Sequence, residues 1–160
     1  MTPVNNRSPA FVLATWFGSG LLPKAPGTWG SLAALPFAWV LQVYLGNSTL
    51  IAATVAIFII GVWASDVTAS RLDSQDPGQI VIDEVCGQWM VLCLVPPEPL
   101  YYFLGFILFR FADIKKPWPV SWADQHIKGG LGIMVDDVLA GVYAGAALYG
   151  VKMIIEGYLS

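Results

Sequence analysis

Apolar positions fall into five long runs: residues 31–45, 50–65, 80–95, 100–112 and 138–155. The breaks between them carry helix punctuation. Gly46-Asn47-Ser48 ends the first run, Pro96-Pro97-Glu98-Pro99 separates the third from the fourth, and Gly129-Gly130 precedes the fifth. The pattern predicts an all-α fold, a membrane-embedded bundle of about five apolar helices in a single domain covering residues 1–160. Most runs are shorter than the ~20 residues that cross a bilayer without tilt. Either the polar flanks extend the helices, or some segments pack inside a bundle that sits only partly in lipid. The helical rhythm of the flanks favours a mixture of the two.

Composition sharpens this picture. Hydrophobic residues make up 56% of the chain and charged residues 12%, with a mean hydropathy of +0.64. A soluble domain carries roughly 25% charged residues, so water is not the expected solvent for most of this surface. High apolar content argues against disorder, two cysteines against a disulfide scaffold, and a net charge of −3 against a nucleic-acid partner. Cys86 and Cys93 on one helix would lie about 10 Å apart, from a rise of ~1.5 Å per residue, too far for a disulfide. They read as buried thiols. Residues 1–9 carry one basic side chain and lead into no cleavable apolar core, so no secretory leader is expected.

Charge sets the orientation. If the chain starts in the cytoplasm and each run crosses once, Arg7, Lys24, Arg71, Arg110, Lys115, Lys116 and Lys128 lie inside and Lys152 outside, as the positive-inside rule requires. The same threading places nine of the eleven carboxylates at the inner face, leaving Glu98 and Glu156 outside.

These ionisable groups form four clusters, and at membrane depth such groups are candidates for function. Asp66 ends the second run, and Asp73 and Asp76 follow in a polar linker that reads as solvated loop. Asp83-Glu84 opens the third run. The pair can act as N-cap and dipole partner or as ligands; neighbours on a helix diverge by ~100°, which disfavours both holding one ion. Arg110, Asp113 and Lys116 recur every third residue, so they fit a salt-bridged helix end or a cationic clamp for phosphate oxygens. The fourth cluster runs from Asp124 through His126, Lys128, Gly129, Gly130 and Gly132 to Asp136-Asp137. Its glycines permit close approach of an anion, its spacing is not that of a nucleotide loop, and the acidic pair could equally start the last helix. His126 is either a proton carrier or a polar loop residue. The chain lacks the spacing of a thiol phosphatase, a serine elbow or a His/Cys metal site. Carboxylates with Arg and Lys are instead parts for Mg²⁺-assisted phosphoryl chemistry.

Four blocks carry a family resemblance: Pro26-Gly27-Thr28-Trp29-Gly30-Ser31; Ile82-Asp83-Glu84-x-x-Gly87; Arg110-Phe111-x-Asp113-x-x-Lys116-Pro117-x-Pro119; and Gly129-Gly130-x-Gly132-Ile133-Met134-x-Asp136-Asp137-x-x-Ala140-Gly141. In this order, over about residues 10–155, they resemble the phosphatidylglycerophosphatase A family. The resemblance implies a Mg²⁺-dependent lipid phosphatase of the bacterial inner membrane. Its substrate would be phosphatidylglycerophosphate, its products phosphatidylglycerol and inorganic phosphate, and its active site would face the cytoplasm. On this reading Glu84, Asp83, Asp136 and Asp137 hold one or two Mg²⁺, with Asp66 and Asp113 as further candidates. Arg110 and Lys116 stabilise the transferring phosphoryl group, joined at the phosphate by Lys115, His126, Gly129, Gly130 and Gly132. The expected partners are the lipid substrate and the surrounding membrane lipids, with oligomeric state left open. The competing expectation, an ion or metal transporter with a carboxylate relay, would need acids spread through the bilayer depth.

Overall fold

The computed structural model describes residues 8–159, so Arg7 in the charge count lies outside the described residues. These residues form seven α-helices and no strand: α1 Pro9–Ala14, α2 Pro26–Leu45, α3 Asn47–Leu72, α4 Ile82–Leu92, α5 Pro99–Lys115, α6 Val120–His126 and α7 Gly129–Leu159. The all-α expectation holds. Three helices, α2, α3 and α7, are long and apolar enough to cross a membrane.

Both explanations for the short runs apply. The polar flanks do extend helices: α3 continues past Ser65 to Leu72, and α7 begins at Gly129, nine residues before its apolar run. Pro26 starts α2 at a first-turn position, where a missing N–H costs nothing. The third run takes the other course. Its helix, α4, has 11 residues, about 16 Å at the usual rise against a hydrocarbon core of ~30 Å. Every α4 residue except Glu84 and Met90 is buried, and α4 packs against α2, α3, α5 and α7. It is the axis of the bundle, not a lipid-facing span.

Lipid offers little hydrophobic drive for helix association, so contact depends on small residues that let backbones approach. Gly87 on α4 and Gly141 on α7 make such a crossing. A β-carbon on Gly141 would sit 2.7 Å from the Gly87 carbonyl oxygen, and one on Gly87 would sit 2.6 Å from that of Asp137. Large apolar side chains on the outer faces, among them Phe37, Ile59, Phe103 and Ile154, remain exposed, as suits helices bathed in acyl chains.

The far end of α4 is closed by polar side chains. Gln42 Nε2 donates to the carbonyls of Val95 (2.8 Å) and Leu92 (3.3 Å), its Oε1 accepts from Tyr102 Oη (2.8 Å), and Asn47 Nδ2 donates to the Cys93 carbonyl (2.9 Å). These bonds satisfy carbonyls that a helix end otherwise leaves orphaned.

Candidate active site

The Gly87–Gly141 crossing also places the acids. Asp83 lies one turn before Gly87 on α4 and Asp137 one turn before Gly141 on α7. The N-termini of α2, α4 and α7 meet there the C-terminal end of α5. Together they enclose a cavity of about 230 Å³ whose walls include Gly27, Asp83, Glu84, Arg110, Asp113, Lys116, Asp136 and Asp137.

Carboxylate oxygens of Asp83, Glu84 and Asp137 lie within 4.8 Å of one another. The expectation that the adjacent pair diverges too far to serve one ion is therefore corrected. The longer Glu84 side chain extends to Gly27 and Arg110, and the third oxygen comes from a different helix. Neither helix start uses its acids as caps in the expected way. The α4 N-cap is Val81, and Asp136-Asp137 sit two turns inside α7. Asp83 Oδ1, Glu84 Oε2, Asp136 Oδ1 and Asp137 Oδ2 are buried without a hydrogen-bond partner. Such oxygens are costly to bury unless something neutralises them. Burial raises the Glu84 carboxyl to about 7 despite the opposing pull of Arg110. Asp83 is raised well above the carboxylate range by burial and then by the neighbouring charge of Glu84. The donor set is all oxygen, each of the three convergent carboxylates has one unpartnered oxygen, and a hard divalent cation fits them.

The basic side chains flank this triad. Arg110 Nη1 pairs with Asp113 Oδ2 at 2.6 Å, approaches Glu84 Oε1 at 3.9 Å and donates to Ser31 Oγ at 3.5 Å. Ser31 in turn donates to the Gly27 carbonyl at 2.9 Å. Arg110 Nε is left without a partner. Asp113 therefore fixes Arg110 rather than bridging it to Lys116. Lys116 leaves the helix in the left-handed region (φ 43°), and its Nζ turns to Asp124 Oδ1 (2.6 Å) and Asp136 Oδ2 (2.8 Å). Burial would lower the Lys116 ammonium, but its bonds to Asp124 and Asp136 outweigh that and hold it above the usual lysine range.

Other candidates stand apart from the triad. Asp66 is exposed, accepts from the Gly130 N–H at 3.1 Å, and lines a neighbouring cavity with Asp73 and Lys128. It caps the start of α7, the position the glycine run was expected to leave for an anion. Gly130 is buried where a β-carbon would strike α3, at Val62 and Asp66, so its small size serves helix packing. Gly129 and Gly132 line a smaller cavity that adjoins the main one. Lys115 is exposed, and so is His126, whose Nδ1 meets the Trp122 carbonyl at 2.8 Å while its ring stacks on Trp122. Neither lines the acidic cavity. Gly27, Ser31 and Asp76, by contrast, take part in the cavity or its hydrogen bonds. The first two lay in the block around Pro26, which carried the family resemblance but was given no role at the site.

The family model described as Phosphatidylglycerophosphatase A matches residues 12–152. Phosphatidylglycerophosphatase A of Escherichia coli (strain K12) is 42% identical over 143 residues, covering 89% of this chain and 83% of that protein. Its namesake in Haemophilus influenzae is 39% identical over 146 residues, 91% and 90% of the two chains. A Bacteroides thetaiotaomicron protein, provisionally named a phosphatidylinositol-3-phosphatase, is 39% identical over 152 residues, 86% and 92% of the two chains. No solved structure matches the chain.

Proposed function

The chain belongs to the phosphatidylglycerophosphatase A family, and we propose that its acidic cavity hydrolyses the terminal phosphomonoester of phosphatidylglycerophosphate with the help of Mg²⁺. The protein is a lipid phosphatase of phospholipid biosynthesis, built of apolar helices suited to a membrane. The observation that carries the metal assignment is the convergence of the Asp83, Glu84 and Asp137 oxygens within 4.8 Å.

These three residues would hold Mg²⁺, which when bound polarises phosphoryl oxygens and makes a water more acidic. The protein's own groups do the rest. Arg110, clamped by Asp113 and Ser31, presents its unpartnered Nε to a phosphate oxygen. Lys116, held by Asp124 and Asp136, adds a second fixed positive charge. Preorganised donors of this kind stabilise charge as it develops on the transferring group. Water attacks phosphorus and the bond to the glycerol oxygen breaks; a proton from the water ends on that oxygen, so phosphatidylglycerol leaves as the alcohol, its acyl chains still against the apolar helix faces, and inorganic phosphate is released.

The charges at the helix ends support an orientation. Lys24, Arg71, Lys115 and Lys128 sit at the end of the bundle that carries the cavity, and Lys152 lies near the other end of α7. On the positive-inside rule this end faces the cytoplasm of a bacterial inner membrane. The transporter reading has no support: the acids of the site gather in one cavity at one end of the helices.

Phosphate release from phosphatidylglycerophosphate in mixed micelles tests the assignment. Asp137→Asn and Glu84→Gln should each abolish turnover at saturating Mg²⁺ while the protein still purifies as a folded species. Near-parental turnover in either variant would remove that residue from the metal site.

A further inference from the structure

We propose that the lipid substrate enters the acidic cavity sideways from the bilayer, through the seam between α2 and α5, and lays an acyl chain along that seam. The inference rests on the reading of the cavity as the phosphomonoester site. A lipid phosphatase needs an opening toward the acyl chains, and around this cavity the other helix pairs are closed. Between α3 and α7, a β-carbon on Gly130 would overlap the Val62 carbonyl, and one on Gly61 would sit 2.6 Å from Met134 Sδ. Between α4 and α7, the Gly87–Gly141 crossing brings the backbones together. Between α5 and α7, Lys116 reaches Asp136, and Tyr143 Oη donates to the Trp118 carbonyl at 2.7 Å. On the α1 side, the Val81 N–H donates to the Ala14 carbonyl at 2.8 Å.

The α2–α5 seam runs into the cavity: Pro26 and Gly27 line it from one helix, Arg110 and Asp113 from the other. At this level the two helices are joined by the bond from Arg110 Nη1 to Ser31 Oγ, which at 3.5 Å is longer than the usual ~2.7–3.2 Å. Along the seam, Thr28, Leu32, Leu35 and Trp39 share one face of α2, and Phe103, Ile107, Arg110 and Ile114 share one face of α5. The Trp39 and Tyr102 rings meet at 5.0 Å and close the far end, which fixes the first face toward α5. The Arg110 bond to Ser31 fixes the second toward α2. Leu32, Phe103, Ile107 and Ile114 are exposed. Arg110, the one charged residue on these two faces, therefore stands at the inner end of an apolar track.

Two lengths fit a lipid. From Thr28 to Trp39 the seam runs about 16 Å at ~1.5 Å per residue, roughly half of the ~30 Å hydrocarbon core. That is the depth of one leaflet, long enough for an acyl chain and too short for a crossing helix. Across the bundle, α2 and α5 both pack on α4, with helix axes typically about 8–10 Å apart, so the acids lie one helix spacing inside the seam. Six bonds join the two phosphorus atoms of phosphatidylglycerophosphate, a span of roughly 7 Å at the ~3.5 Å per three bonds of an extended chain. The terminal phosphate can thus reach the acids while the diacylglycerol stays at the seam. A larger apolar hollow of about 590 Å³, whose walls include Thr54, Met90 and Val142, also faces lipid, but the Gly61–Met134 and Gly130–Val62 contacts cut it off from the acids.

Reversible plugging of the full-length protein in mixed micelles tests this. Leu32→Cys, once mass spectrometry shows its adduct with benzyl methanethiosulfonate, should lose about tenfold or more in kcat/KM for phosphatidylglycerophosphate, equivalent to ~1.4 kcal/mol on the barrier. Dithiothreitol should restore it. Ile107→Cys, on the facing helix, should respond alike. Affinity for Mn²⁺, standing in for Mg²⁺, should match the unlabelled value in both, because the plug obstructs the lipid and not the ion. Val142→Cys in the hollow, and the parent with its own Cys86 and Cys93, should keep full turnover after the same treatment. Labelled Leu32→Cys and Ile107→Cys that turn over within about twofold of their unlabelled forms overturn the seam. So does a loss confined to Val142→Cys, or a loss matched by weaker Mn²⁺ binding. An untreated parent that releases no phosphate from this lipid overturns the proposed function instead.

Discussion

Gly27→Ala is the sharpest test of how the sequence builds this site. A β-carbon at Gly27 would overlap Glu84 Oε1 and lie 3.0 Å from Arg110 Nη1. Those two atoms are themselves 3.9 Å apart, so a methyl group cannot enter without moving one of them. Non-bonded heavy atoms settle at about 3.5–4.0 Å, which requires the Glu84 carboxylate to retreat by roughly 1 Å or more. The obstacle is the far end of a flexible side chain, so the protein should still fold, at a cost in the range of ~1–3 kcal/mol typical of overpacking. Misplacing a reactive group by ~1 Å can cost about 10²-fold in rate, equivalent to ~2.7 kcal/mol of barrier. Phosphate release per folded molecule should therefore fall by about two orders of magnitude, and the affinity for Mn²⁺ should weaken with it. Gly30→Ala is the matched control. Its β-carbon would meet Val81 Cβ at 2.6 Å, a core contact, so it should lower thermal stability while leaving more of the turnover per folded molecule. If Gly27→Ala turned over within twofold of the parent, the role given to Glu84 and its distance from Arg110 would be wrong.

Proton competition gives a second expectation. With Glu84 at about 7, apparent metal affinity should be about tenfold weaker at pH 6 than at pH 8, since the ion must displace a proton; the raised Asp83 makes the dependence steeper. Calorimetric titration at the two pH values checks this, and Glu84→Gln should flatten the profile. In the metal-free protein the sign reverses. A carboxyl raised from 4.5 to about 7 contributes stability that is complete below pH 4.5 and lost as pH rises through 7. The metal-free melting temperature should therefore rise from pH 8 to pH 6; a fall would contradict the raised Glu84. At the opposite end of the bundle, Gln42→Leu leaves Tyr102 Oη and the Leu92 and Val95 carbonyls without the Gln42 amide. At ~1–3 kcal/mol for each of these three buried orphans, the loss should be roughly 3–9 kcal/mol in detergent unfolding, with turnover per folded molecule unchanged.

The helical class, the apolar exterior and the end of the molecule where the acidic residues gather were all legible in the residue order. Each is a local property: runs of apolar side chains, Gly and Pro at their ends, and charges that cluster in the chain before they cluster in space. The four motif blocks likewise named most of the residues that line the cavity. What only the tertiary structure decided was which of them meet. Asp66 and Asp137 are both candidate ligands in one dimension, yet α7 packs so that Asp66 accepts a backbone N–H while Asp137 faces Glu84. Lys116 continues the three-residue rhythm of Arg110 and Asp113 but leaves it because its backbone turns left-handed, and Asp76 looked like loop until the α3–α4 connection set it at a cavity wall. The third apolar run had the composition of a span and became the buried axis instead. Helix–helix rotation and crossing distance determine such outcomes, and here they turn on the backbone contact at Gly87 and Gly141, whose partners lie far apart along the chain and do not appear in the spacing of either motif.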